Sequence, residues 1–158
     1  MEPWASPQPA RVMPGGIGEP SWTEEIRVLA RRQVAGGRPA GAYSPGIIAS
    51  GRFLYVSGQG PLRDGVVVGR TIEEQTSVTL ENIAAVLRAG GASPADVVRC
   101  GVFLADLADF AGMDAVYADF FPPPLPARTT VGATLREIKV EIDCVAVLPP
   151  DANAETTA

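Results

Sequence analysis

The sequence predicts an α+β domain in which two helices cover one face of a sheet. Two observations carry that expectation. Strand-like and helix-like runs follow one another in the order strands, helix, strand, helix, strands. The last run, "KVEIDCVAV", alternates Val140, Ile142, Cys144 and Ala146 against Glu141, Asp143, Val145 and Val147, the period of a strand with two distinct faces.

Residues 1–35 read as an N-terminal extension. "MEPWASPQPARVMPGGIGEP" carries Pro and Gly at a density that opposes a packed core. A short helix is expected near 22–33, where Ser21 or Thr23 precedes Glu24 and Glu25. A single domain is expected over 36–150, and 151–158 reads as a frayed tail.

Within the domain, "IIASGRFLYVSGQ" reads as a hairpin turning at Ser50-Gly51, and "DGVVVG" as a brief strand. "TIEEQTSVTLENIAAVLRAGG" is the clearest helix. Thr71 and Glu74 form a capping box, Ile72, Leu80, Ile83 and Leu87 share one stripe, and Gly90-Gly91 stops it. "DVVRCGVFLAD" is a strand. "DFAGMDAVYADFF" is a second helix with Asp109 as its expected N-cap and Met113, Val116, Tyr117 and Phe120 on its buried side; "PPPLP" ends it. Segments 127–133 and 139–147 are expected to pair as a hairpin. The helices cover one sheet face, so the other is left for a second copy of the chain.

Composition narrows the chemistry. The net charge is −5 with no basic run, which argues against nucleic acid as a partner. The absence of histidine removes the Ser-His-Asp and Cys-His arrangements and most zinc sites. Cys100 and Cys144 sit in apolar runs and read as small buried hydrophobes. With two cysteines, no export signal and no run long enough to span a membrane, the expected compartment is a reducing cytoplasm.

Arg128 and Glu141 stand out, being charged residues inside strands that should be buried. In the expected hairpin, Thr130 faces Glu141 and Arg128 faces Asp143, which puts one cation, two carboxylates and a hydroxyl on one face; a slip of one residue would separate them. Such a cluster is either an ion-pair network closing a subunit interface or a site for a small anion. In the second case the Arg fork grips a carboxylate and Glu orients a water.

Five segments in order resemble one family: "GAYSPGIIASGRFLYVSGQGPL", "IEEQTSVTLENIAAVLRAGGAS", "DVVRCGVFLADLADFAGMDAVYADFF", "PARTTV" and "VEIDCVAV". They are similar to the Rid family of reactive-intermediate deaminases, also called RidA-like or YjgF proteins and L-PSP endoribonucleases. The resemblance implies a chorismate-mutase-like fold, a mixed sheet assembled as a homotrimer around a central barrel, with sites in the clefts between subunits. It implies hydrolysis of 2-imino or 2-enamino acids to 2-oxo acids and ammonia, without metal or organic cofactor. By position, Arg128 would anchor the substrate carboxylate and Glu141 would position the water, while Tyr43, Ser57 and Gly58 would line the cleft. Thr130 stands where many members have cysteine. Asp114 stands where many have asparagine lining the pocket; with Thr130 it is placed among the substrate-binding positions, where a second carboxylate would weaken binding unless paired or turned away, and it is expected to be a solvated or capping carboxylate rather than a catalytic one. The alternatives are a specialised Rid-like enzyme of a biosynthetic or catabolic route and a non-catalytic ligand-binding or regulatory trimer.

Overall fold

A computed structural model describes residues 31–148. The expected helix near 22–33 lies outside that range except for its last positions, and the tail 151–158 lies outside it entirely. Residues Arg31–Val34 form strand β1 rather than the end of a helix.

β1 pairs antiparallel with β2 (Gly46–Ala49) in a two-stranded ribbon. The Arg31 guanidinium ties this ribbon to the domain by donating to the carbonyls of Pro124 (2.9 Å) and Val97. The expected hairpin at Ser50-Gly51 does not form. β3 (Phe53–Gln59) leaves β2 and pairs with β8 (Val140–Val147) instead, because β2 is already occupied by β1. The brief strand at "DGVVVG" is present. β4 (Leu62–Arg63) and β5 (Val66–Val67) make a tight hairpin around Asp64 and Gly65, both at positive φ, which suits an Asp-Gly turn.

Helix α1 (Ile72–Ala89) begins as its sequence dictates. Thr71 Oγ1 accepts from the Glu74 N–H (3.2 Å), and the Glu74 carboxylate accepts from the N–H groups of Thr71 (3.2 Å) and Arg70 (2.7 Å). These bonds hold the Glu74 carboxyl below its ordinary pKa. The helix buries Ile72, Leu80, Ile83 and Leu87 and ends at Gly90. Each such side chain contributes roughly 1.5–3 kcal/mol when removed from water. Helix α2 (Phe110–Phe120) buries Met113 and Tyr117, with Val116 and Phe120 packed partly buried against the core. Asp109 occupies the N-cap position as expected but makes no side-chain capping bond; its carboxylate meets Lys139 Nζ at 3.2 Å instead.

The main sheet has the order β3-β8-β6-β7, where β6 is Val97–Leu104 and β7 is Ala127–Gly132. β6 runs parallel to β7 and antiparallel to β8. The expected hairpin of 127–133 with 139–147 is therefore overturned, since β6 lies between the two strands. The connection steps across the end of β6. Ala133 N donates to Leu104 O (2.9 Å), and Ala105 N donates to Lys139 O (2.9 Å). The β6–α2–β7 unit follows the ordinary rule that a parallel pair needs a helical crossover.

The sheet is mixed and both helices lie on one face. Along β8, Val140, Ile142, Cys144 and Ala146 are buried with the helices, whereas Glu141, Asp143 and Val145 are only partly covered. On that second face Tyr55 is 75% exposed and Val131 43%, an apolar surface that no helix of the described chain covers.

Candidate functional site

The pairing register decides where the charged residues go. Arg128 and Cys144 both pair with Cys100, while Thr130 and Ile142 both pair with Val102. Residues paired across a sheet share a face, so Arg128 and Thr130 lie on the helix side. Glu141 pairs with Phe103 and Asp143 with Gly101, which puts both carboxylates on the open side. The expected single-face cluster is thus overturned: a parallel β6–β7 pair shifts the relation between β7 and β8 by one residue. Within one chain Arg128 and Glu141 belong to two separate half-sites.

The first half-site is built around Arg128, whose side chain is 1% exposed. Three rings surround its guanidinium carbon, those of Tyr117 at 4.6 Å, Tyr43 at 5.3 Å and Phe110 at 5.5 Å. Such ring faces attract a cation most when water is excluded. Asp114 supplies the countercharge, with Oδ1 2.6 Å from Arg128 Nη2. It is neither solvated nor a cap. Its two oxygens also accept from Ala42 N at 3.0 and 3.2 Å. Tyr43 is fixed by its own chain segment: Ala40 N donates to its hydroxyl (3.1 Å), and Tyr43 N donates to Gly41 O (3.0 Å). Ser44 then bridges to Ala127 at the start of β7, so the segment 40–44 is laid beside Arg128 by backbone pairing.

The contact between Arg128 and Asp114 is close but poorly aligned, and neither Nη1 nor Nη2 completes a directed hydrogen bond. Thr130 Oγ1, two residues along the same strand, is also buried without a partner. Unpaired buried donors cost about 1–3 kcal/mol each. Among the described residues the hydroxyls of Thr76, Thr79 and Tyr117 are likewise buried without a hydrogen-bond partner, so the Arg128 fork stands out by its charge, and a ligand is one way to satisfy its donors. The Tyr117 hydroxyl lies against the Cys100 thiol, which burial pushes up to about 12. Cys144 is likewise buried, free and raised in pKa.

The second half-site lies at a β-bulge. Val56 pairs with Cys144 and Gln59 with Ile142, so Ser57 and Gly58 together oppose Asp143. Such a bulge re-aims side chains and is frequent beside functional residues. Gly58 leaves the space that the Glu141 carboxylate occupies, since a Cβ there would sit 2.0 Å from Glu141 Oε1. Ser57 and Gly58 are exposed and Glu141 is half-covered. Asp143 is occupied elsewhere, with Arg99 Nη1 at 3.3 Å and Gly101 N at 3.2 Å. Gly101 fits for the same reason as Gly58, since its Cβ would meet Asp143 Oδ2 at 2.8 Å.

The sequence did not point to Phe110, Tyr117 and Ala42 as site residues. Phe110 and Tyr117 resemble ordinary core, and Ala42 acts through its backbone. Among the described residues no cluster of three or more His, Cys, Asp or Glu could hold a metal ion, and no helix is long and apolar enough to cross a membrane.

Fold and paired half-sites together define a class of small α+β proteins with a mixed sheet, one face helical and the other open. The family described as Endoribonuclease L-PSP matches residues 35–148, and the chain belongs to it. A RutC family protein of Pyrococcus horikoshii is 41% identical over 113 residues, 69% of this chain and 89% of the relative. A protein of Arabidopsis thaliana named Reactive Intermediate Deaminase A, chloroplastic, is 40% identical over 112 residues, 68% of this chain and 59% of the relative. The crystal structure of a Yersinia pestis protein, described as of unknown function and of the conserved Rid protein family, superposes with a TM-score of 0.68. It is 30% identical and covers 76% of this chain and all of that one.

Proposed function

We propose that the protein hydrolyses reactive 2-imino and 2-enamino acids to 2-oxo acids and ammonia, in sites shared between copies of the chain in a homotrimer. The observation that carries this reading is the Arg128 guanidinium, buried among three rings yet with donors to spare. Asp114 offsets the charge of this buried cation, and the donors it leaves over are suited to the carboxylate of a small organic acid. The name of the Arabidopsis relative supports the reaction class.

Arg128 would hold the substrate carboxylate, with Thr130 and Tyr43 lining the same pocket. Glu141, set over Gly58 and beside Ser57, would hold a water and take its proton. The oxygen attacks the imine carbon while the nitrogen takes the water's first proton by way of Glu141; the adduct's hydroxyl then yields the second proton to the nitrogen as it becomes the carbonyl, and the C–N bond breaks to release ammonia. The net change is imine plus water to ketone plus ammonia, a balance that needs no redox partner. Orientation of a bound water against a bound imine is the main contribution asked of the protein. Since Arg128 and Glu141 lie on opposite faces of one sheet, the reading requires Glu141 of one copy to meet Arg128 of another. The exposed apolar face around Tyr55 and Val131 would carry the Glu141 side of that contact. Two free buried thiols suit a reducing compartment such as the cytoplasm, although the name of the Arabidopsis relative shows that family members also occupy organelles.

The test is release of 2-oxo acid from an imine generated in situ by an amino-acid oxidase. Wild-type protein should speed it. Arg128→Ala should abolish the effect, and Arg128→Lys, which keeps the charge but loses the fork, should lower it by roughly a hundredfold. Equal rates with and without the protein, or for wild type and both variants, would end the proposal.

A further inference from the structure

We infer that Asp114 is a specificity-determining residue, a carboxylate built into the Arg128 pocket that competes with the carboxylate of the incoming ligand. The inference rests on the proposed role of Arg128 as ligand anchor. Asp114 Oδ1 sits 2.6 Å from Nη2, the place one oxygen of a gripped organic acid would take. The pair is not a loose surface contact, because Arg128 is 1% exposed and Asp114 23%. Ala42 N holds both carboxylate oxygens. Gly41 closes the wall behind them: a Cβ there would lie 2.9 Å from Nη2 and 3.1 Å from Asp114 Oδ1.

Two consequences follow for ligand choice. An acid that reaches Arg128 brings its charge beside a second carboxylate where little water screens the repulsion. An uncharged carbonyl needs only one donor, and Nη1 has no partner. The pocket thus favours charged acids less than a bare arginine would, and it tolerates neutral carbonyl compounds such as amides of the same acids.

The experiment compares binding of 2-oxobutanoate and its uncharged primary amide to wild type and Asp114→Asn by titration calorimetry. The Asn keeps an acceptor for Ala42 N and removes the charge. The acid should bind about tenfold tighter to Asp114→Asn, while affinity for the amide stays within about twofold, so that the acid-over-amide ratio rises. Asp114→Ser, smaller and also uncharged, should move that ratio the same way and serves if the Asn variant misfolds. A purely structural role would shift both ligands together. The inference falls if the acid binds the variants no more tightly than wild type, or if both ligands change in parallel. If neither ligand binds wild type or variants, the inference and the proposed role of Arg128 fall together. Acid binding that is lost in Arg128→Ala but indifferent to Asp114 overturns the inference alone.

Discussion

The two half-sites differ in how completely one chain can build them. Around Arg128 the chain packs rings from α2 and the 40–44 segment, a countercharge from Asp114, and the backbone pairing of Ser44 with Ala127. Around Glu141 the chain supplies only a bulge and a glycine, and leaves the surface open. The first is a buried, largely enclosed cation with donors to spare, while the second is a half-covered carboxylate at an exposed bulge. A single chain carries both, but on opposite faces of its sheet. The difference teaches that one fold can enclose one charged residue and leave the other at its surface, and under the proposed function only a second copy could bring the two together.

Substitution at Gly58 should sharpen this contrast with the larger effect. In Gly58→Ala the new Cβ would strike Glu141 Oε1 at 2.0 Å, and since the obstacle is the end of a flexible side chain, Glu141 swings away while the strand survives. We expect turnover to fall at least about tenfold, with a change in unfolding free energy within about 1 kcal/mol. Unchanged turnover would mean that the placement of Glu141 is immaterial. The smallest effect should come from Thr71→Ala, which touches neither half-site. Loss of the Thr71 Oγ1 bond to Glu74 N should cost about 1 kcal/mol in denaturant melts and leave turnover per folded molecule unchanged. A drop in turnover would show that α1 takes part in the site.

Local rules made much of the fold legible. The Thr71–Glu74 box, the α1 stripe and the alternation of β8 all appear as their residues dictate, because each depends on neighbours within a turn or a pleat. Partner choice between strands was not local, and both expected hairpins failed. β2 was taken by β1, and β8 crossed over β6, so closeness in sequence misled. That error moved Arg128 and Thr130 off the face of Glu141 and Asp143, since a shift of one residue changes the side of a strand. The side-chain partners of Asp109 and Asp114 were missed for a related reason, although Asp109 does stand at the N-cap position. Each finds its partner, Lys139 or Arg128, only after β6, α2 and β7 have packed, and no spacing in the sequence announces a contact between a helix and the strand that follows it.

The central claim is that Arg128 of one copy works with Glu141 of another, and subunit complementation tests it most directly. Arg128→Ala and Glu141→Gln should each be inactive alone. Unfolded, mixed and refolded together, they should regain activity, since random assembly leaves roughly a quarter of the shared sites with both residues intact. Mixed oligomers that form but stay as inactive as either parent would contradict it.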